Sequence, residues 1–470
     1  MVEPESNATM KLLKFPKFGR AEKPVEIALQ TLVETEENFD LIADPFQRIE
    51  RSGRFKMDDI ELIAETYKKF RTPGSIWDNF RDKHLILPDW FQSDLNPLSD
   101  EYFAQQMRLW KAISAVDRAY VPSVDEAEEL IGNVDATRYP GFYTWRHDRA
   151  IEAASDHVLA VGMLMKHSGL QPGMWALEYG AGFAQAALAL ARMGVNVDTV
   201  DISKAFCGYV KEQADFFRVS LTPFNALFGD NPRGDQKYDL IWFYESFHHC
   251  VEFKTVLGKL RNHLTPDGKI LLVGEPIGKR ENFAVPYPWG LRLESEVVAV
   301  IRNLHWFELG FSEDFVVNLF VNYGYEAEFI DCPMSIYGQI YSFAARGPKI
   351  ELGKHWLPSV DTERWHAQEP AGRWTREAST IALDQTDSFS ALDITATNHH
   401  AKPHFVHINY GGATTTVKFE PGERKVIRLD AKTKFPSITF ASETVVPALQ
   451  HQVSNDTRAL GIYLHCIEYV

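Results

Sequence analysis

The sequence is poor in the features that mark secreted, membrane-bound or nucleic-acid-binding proteins. Only four of its 470 residues are cysteines. Cys207, Cys250, Cys332 and Cys466 lie far apart and form no CxxC pair, which excludes a disulfide scaffold and a cysteine-built zinc site. There is no HExxH motif either, so no metal ligand set is expected. No apolar run reaches the length of a membrane span. The lysine-containing N-terminus lacks the apolar core of a signal peptide, so the expected location is cytoplasmic. Positive charge is also short: 49 Lys and Arg stand against 64 Asp and Glu, a net charge of −15. That balance argues against a nucleic-acid partner, whose binding depends on neutralising phosphates. Internal repeats and long low-complexity tracts are absent. What remains is ordinary for a folded chain of two or three domains, with 45% hydrophobic and 24% charged residues.

The richest stretch is residues 174–203, MWALEYGAGFAQAALALARMGVNVDTVDIS. Met174 to Tyr179 is a short apolar run of buried-strand type. Gly180-Ala181-Gly182 makes a turn that a ligand can approach closely. Ala184 to Arg192 has high helix propensity, and Val195 to Val200 is a second apolar run ending on Asp201. Strand, glycine turn, helix, strand and acid form a βαβ unit that binds a nucleoside, the acid accepting from the ribose hydroxyls. The spacing departs from a dinucleotide fingerprint, because Gln185 stands where the third glycine would be. Glu178, two residues before the first glycine, would repel a pyrophosphate and suits a ligand with a cationic amino group and a sulfonium.

E-x-G-x-G followed by a ribose acid resembles motif I of the class I S-adenosylmethionine-dependent methyltransferases. The segment from Tyr238 to Pro276, with YDLIWF and HLTPDGKILLVGEP, resembles strands four and five of the same family. The resemblance implies an α/β fold: a Rossmann-like, seven-stranded, mostly parallel sheet whose last strand is antiparallel. It implies S-adenosyl-L-methionine as cofactor, held by Glu178, Gly180, Ala181, Gly182, Asp201, Ile202, Phe228, Asp230 and Tyr244. Asp230 would meet the adenine amino group and Phe228 would cover the ring.

Around this unit the sequence predicts an N-terminal, mostly helical extension over residues 1–140. The first 25 residues, polar or basic with prolines, are expected to lack an ordered element. Ser99 is placed to cap a helix running to Ser114. The methyltransferase domain is expected over 141–348, with an aromatic and charged insertion at 276–322 above the carboxyl ends of the strands. From Lys349 onward short β-type runs take over, and a C-terminal all-β sandwich is expected over 360–470. Phe405, Ile408 and Tyr410 are expected on its apolar face. His399 and His400 are expected in an exposed turn. Gly372–Thr375 and Asp456–Ile462 resemble a small β-domain appended to bacterial enzymes of surface-polysaccharide synthesis.

Methyl transfer from a sulfonium is an in-line displacement that depends on alignment. An oxygen acceptor also gains from a general base. The candidates are His248 or His249, after the fourth strand, with Glu245 and Glu275 as alternatives and His305 in the insertion as another. Arg292, Glu294, Glu308 and the insertion's aromatics suit the hydroxyls and apolar face of a sugar, and the aromatics serve equally well in a plain core. The expected partner is a sugar or glycoconjugate acceptor for O-methylation in cell-surface polysaccharide synthesis. A small metabolite acceptor, or a non-catalytic carbohydrate-binding or scaffolding role, are the alternatives. Self-association, or docking to polysaccharide-synthesis enzymes, would suit the β-domain.

Overall fold

The computed structural model describes residues 44–69, 76–127, 140–145, 149–278, 285, 286, 288–345, 349–353, 365–383, 389–433, 435, 437–450, 454 and 456–470. The expectation for residues 1–25 lies outside these residues. The centre is a seven-stranded sheet built from β1 (Trp175–Tyr179), β2 (Asn196–Asp201), β3 (Leu221–Asn225), β4 (Tyr238–Tyr244), β5 (Leu264–Val273), β6 (Tyr325–Ile330) and β7 (Ile340–Ala345). Its order is β6-β7-β5-β4-β1-β2-β3. Strands β1 to β5 pair in parallel, while β7 runs antiparallel to both β5 and β6.

A parallel sheet covered on both faces needs strands that are apolar on both faces. In β4, Ile241 and Phe243 join one apolar cluster, and Leu240 and Trp242 join the other. The second cluster also takes up Leu164 of α1 (Ala150–His167), Ala186, Ala187 and Leu190 of α2 (Gln185–Arg192), and Tyr209 and Val210 of α3 (Lys204–Phe217). Ser203 caps α3 by accepting from Phe206 N. Strand β3 reads weakly in sequence because it is the sheet edge, where LTPFN can carry Pro223 without losing a ladder bond. Strand β5 takes in the expected Thr265–Lys269 turn. Its register against β4 jumps from Tyr238↔Leu264 to Leu240↔Lys269, so the residues between are extruded from the ladder.

The N-terminal segment and the insertion share one core with the first face of the sheet. Ile49, Phe55, Trp77 and Trp110 cluster with Trp289, Leu291 and Val298 and with Leu177 and Phe243. Polar contacts fix the same arrangement. Tyr102 donates its hydroxyl to Trp289 O at 2.5 Å, Trp289 donates Nε1 to Pro97 O at 2.8 Å, and Trp110 donates Nε1 to His305 O at 3.0 Å. The helix over Asp100–Ser114, which carries these anchors, is capped by Ser99 Oγ accepting from Tyr102 N. Trp289, Phe307 and Phe311 are therefore core residues, each at most 1% exposed, and not the open aromatic surface that the sequence suggested. Tyr287 lies outside the described residues.

Beyond the central sheet the chain folds into two antiparallel sheets. One holds the strands at Trp365–Glu369, Gly372–Thr375, Tyr463–Tyr469, Ala391–Thr397 and Arg424–Asp430, with Lys349–Glu351 added to the 463–469 strand. The other holds Ala378–Ala382, Ser437–Ser442, His404–Tyr410 and Ala413–Phe419. The β-rich part thus starts at Lys349, ahead of the expected 360. Ile394 and Ile467 of the first sheet and Ile408 and Phe440 of the second belong to one apolar cluster. Strict alternation along His404–Tyr410 buries His404, Val406, Ile408 and Tyr410. Phe405 therefore points outward, 51% exposed, contrary to expectation. Gly411 and Gly412 both take positive φ, as a two-residue hairpin turn requires. His400 is buried with Nε2 2.5 Å from Gly461 O, so only His399 of that pair is exposed.

Asp198 on β2 is buried completely. It accepts from Arg233 Nε at 2.6 Å and Nη2 at 2.8 Å and from the Tyr238 hydroxyl at 2.9 Å, tying β2 to the start of β4. Asp198→Ala leaves the buried Tyr238 hydroxyl unpaired and releases the exposed Arg233 guanidinium, and should lower unfolding stability by roughly 1–3 kcal/mol. Urea denaturation checks this, and a loss below about 1 kcal/mol would show that the tie is dispensable.

Candidate functional site

The carboxyl ends of β1, β2 and β4 open into one cavity of about 1210 Å³. Glycine makes its floor possible. Gly180 turns out of β1 at φ +66° with its N–H donated to Val200 O, and a Cβ there would sit 2.5 Å from Ser246 Cβ. Gly182 donates its N–H to Asp201 Oδ2 at 2.8 Å, and Ser203 N donates to Asp201 Oδ1 at 2.8 Å. Each oxygen keeps a lone pair for a ligand hydroxyl. Burial raises the Asp201 pKa, and these backbone donors oppose the rise. Helix α2 begins without a side-chain cap, so its first N–H groups and positive dipole end face the cavity beside Ala184 and Gln185.

Glu178 is the most unusual group in this floor. It is 2% exposed; Oε1 accepts from Trp242 Nε1 at 2.8 Å, and the buried Oε2 has no partner. Burial pushes its pKa up to about 8, with the Trp242 bond opposing. Such a carboxyl is costly to hold in an empty site and suits a cationic ligand. All nine residues expected at the cofactor line the cavity: Glu178, Gly180, Ala181, Gly182, Asp201, Ile202, Phe228, Asp230 and Tyr244.

The catalytic candidates divide. Glu245 and His249 line the cavity, whereas His248 and Glu275 stand behind its wall. The Glu275 side chain is 1% exposed. Its Oε1 accepts from Ser246 N and Phe247 N, both at 2.8 Å, and its Oε2 takes His248 N at 3.1 Å and contacts His248 Nδ1 at 2.8 Å. With its acceptor sites filled from within, Glu275 is not placed to act as the alternative base that the sequence offered. It shapes the turn after β4. His248 is held between Glu275 and Glu308, its Nε2 3.5 Å from Glu308 Oε2, and so lacks the access a base would need.

Glu245 sits at φ +48°, rare for a residue with a side chain. Burial, then the neighbouring Glu275, pushes its pKa up to about 8. Its Oε2 is 3.2 Å from His157 Nδ1, which also meets the Tyr244 hydroxyl at 2.5 Å. His249 Nδ1 lies 3.2 Å from Glu126 Oε2. Burial lowers its pKa, but Glu126 and Glu308 outweigh this and push it up to about 9. Burial raises the Glu308 pKa, yet the electrostatic influence of His249, His248 and Arg292 holds it below the usual carboxylate range. Arg292, Glu294, Glu308 and His305 do not line the cavity, and Trp306 is the insertion aromatic that does.

Sequence reasoning gave no site role to Glu126 or His157, which line the cavity together with Phe103, Met107, Tyr120, Phe142 and Trp145. Glu126 accepts from the Tyr120 hydroxyl and from Phe307 N, both at 2.6 Å, on the far side from His249. No local motif marks these positions, because contacts across more than a hundred residues bring them to the cavity.

Residues 177–270 match the methyltransferase domain family. No curated protein matches the chain. Among solved structures, similarity extends to a Nostoc punctiforme protein assigned as an O-methyltransferase, with 14% identity over 42% of this chain and 58% of that one, at a TM-score of 0.33. The chain thus spans little more than half of that relative's length. A Burkholderia thailandensis 1,6-didemethyltoxoflavin N1-methyltransferase shares 16% identity over 49% of this chain and 94% of its own, at a TM-score of 0.33. A Streptomyces coelicolor geranyl diphosphate C-methyltransferase shares 15% over 53% and 99%, at 0.34. Alignments at these scores assign no substrate. The matched segment carries the glycine turn, Asp201 and the half-satisfied carboxyl of Glu178. Residues 177–270 are thus a methyltransferase domain.

Proposed function

We propose that the chain O-methylates an acceptor that combines an apolar face with hydroxyl groups, a sugar or glycoconjugate. The supporting observation is the cavity itself. Its volume, about 1210 Å³, exceeds what one drug-sized ligand occupies, leaving room for an acceptor beside the cofactor. Past the cofactor residues its wall is Phe103, Met107, Tyr120 and Trp306, interleaved with Glu126, His249 and Glu252. Aromatic faces beside carboxylates suit a sugar ring and its hydroxyls. The apolar contribution of Phe103, Met107 and Val251 favours a second reading, a small aromatic or aliphatic metabolite. On either reading residues 44–345 form the catalytic body and residues 349–470 a β-sandwich unit. Among the described residues that unit supplies none to the cavity wall, and it would serve glycan binding, docking or self-association. Turnover of labelled S-adenosylmethionine with a panel of nucleotide sugars, glycan fragments and phenolic metabolites separates the two readings. Transfer to the sugars supports the first, and transfer to the phenolics alone overturns it.

In this reading Asp201 holds the ribose, Phe228 and Asp230 the adenine, and Glu178 the cationic end of the cofactor. A cationic ligand binds the carboxylate form of Glu178 better than the carboxylic acid. With a pKa of about 8, the ionised fraction rises from about one-tenth at pH 7 to about nine-tenths at pH 9. Cofactor affinity should therefore rise with pH across this window by up to about tenfold, relative to Glu178→Gln, which removes the titration. The variant comparison cancels the cofactor amine, which loses its own proton in the same range. Calorimetry at pH 7, 8 and 9 checks this, and parallel pH profiles for the two proteins would remove Glu178 from the cofactor.

Glu245 is the group we place as general base, because it faces the cavity with a pKa near working pH. His248 and Glu275 act as positioning residues behind it. Glu245→Gln should lower kcat by about 10²-fold or more while leaving cofactor affinity within about threefold. Single-turnover kinetics with a saturating acceptor measures it, and a kcat within threefold of the parent would shift the role to His249.

A further inference from the structure

At the cavity wall, among the described residues, His248, His249 and Glu308 each bring one ligand-type atom within 4.8 Å of the other two. The sequence gives no hint of this group, because Glu308 comes from the insertion and the histidines from the turn after β4. We propose that these three residues bind a divalent first-row transition metal ion, with an open coordination position toward the cavity.

The geometry fits such an ion in three ways. Bonds of about 2.0–2.2 Å to nitrogen and oxygen place two ligands of a tetrahedral ion about 3.4 Å apart. His248 Nε2 and Glu308 Oε2 are 3.5 Å apart. The ligand-type atom of His249 lies within 4.8 Å of the other two, and its side chain, at 19%, is the most exposed of the three. Second, each imidazole has a carboxylate near Nδ1, hydrogen-bonded in His248 and within ion-pair distance in His249. Glu275 Oε2 is 2.8 Å from His248 Nδ1, and Glu126 Oε2 is 3.2 Å from His249 Nδ1. Metal-bound histidines usually carry such an outer partner, which fixes the ring and raises its basicity. Third, the charge is unbalanced. Glu126, Glu275 and Glu308 are nearly buried, and the permanent cation close to them, Arg292, also stands 3.5 Å from Glu294. Either protons on the histidines or a dication must supply the missing positive charge.

Two histidines and one carboxylate with open positions suit Zn²⁺, Mn²⁺ or Fe²⁺ better than the all-oxygen cations. Of the three, only His249 lines the cavity, so the open position faces the acceptor end. An acceptor hydroxyl bound there would lose its proton more readily, and this consequence alone rests on the methyltransferase reading. The site itself rests on the three side chains and their outer carboxylates.

The test reads metal binding separately from turnover. The full chain, stripped with chelator and dialysed against ZnCl₂, MnCl₂ or CoCl₂, is assayed for bound metal, and the cobalt form for visible absorption. The proposal expects about one equivalent and a cobalt spectrum with nitrogen ligation. Glu308→Gln and His248→Ala should weaken binding by at least about tenfold, and Glu126→Gln by about 10- to 100-fold. Retained S-adenosylmethionine binding verifies that each variant is folded, and His249→Asn serves should one of them fail this check. Binding of less than a tenth of an equivalent would overturn the proposal and leave protons as the balancing charge. Equal affinity in folded Glu308→Gln and His249→Asn would overturn it as well.

Discussion

The Glu275 carboxylate holds the catalytic end of this molecule together. It lies just beyond β5, yet its oxygens gather three consecutive N–H groups, from Ser246, Phe247 and His248, and the His248 ring. A turn that leaves a parallel strand has backbone donors without ladder partners. Here one buried acid from the neighbouring strand satisfies them together. Ser246 then returns its hydroxyl to Tyr179 O at 2.8 Å, which ties the same turn to the end of β1. The ends of β1, β4 and β5 are thus fixed relative to one another by side chains. The left-handed Glu245 and the cavity-facing His249 take their positions from that tie.

A second constraint comes from above. The N-terminal segment is not an appendage, because its aromatic anchors are interlocked with the insertion. Tyr102, Trp110 and Trp289 exchange hydrogen bonds across nearly two hundred residues. Leu85 N also donates to Leu293 O at 2.8 Å, and Ser295 Oγ to Phe80 O at 2.5 Å. The result is a cap with one core, continuous with the first face of the sheet. It presents Phe103, Met107, Tyr120, Glu126 and Trp306 to the cavity. These five wall residues lie outside the segment 177–270 that matches the methyltransferase family.

This division explains what could be read from the chain. The strand, glycine turn, helix and acid of 174–203 are legible because every contact that defines them is local. Gly180 and Gly182 take positive φ, and Asp201 binds the turn only nineteen residues before it. Ser99 and Ser203 declare their helices for the same reason. The insertion misled because composition does not say which way a side chain faces. Trp289 and Phe311 are as aromatic as a sugar platform and are buried in the core. Phe405 was misplaced by one step of strand parity, which only pairing with Lys418 fixes. Glu126 and His157 carry no motif at all, and their neighbours become visible only when the chain closes on itself.

The electrostatics of the cavity join these levels. Glu178 and Glu245 are both pushed up to about 8, chiefly by burial. They are aimed into one space that also receives Asp201 and Glu126. A fold selected only for stability would neutralise or expose such groups, because desolvated carboxyls weaken the folded state. The empty cavity instead holds them with partial compensation. Trp242 covers one oxygen of Glu178, and His157 stands beside Glu245. A cofactor with a sulfonium and an ammonium group brings the positive charge that this arrangement lacks, at the place where the sheet leaves it open. The energy stored in those carboxyls is released on binding, so occupancy of the cavity and stability of the capped sheet should be linked.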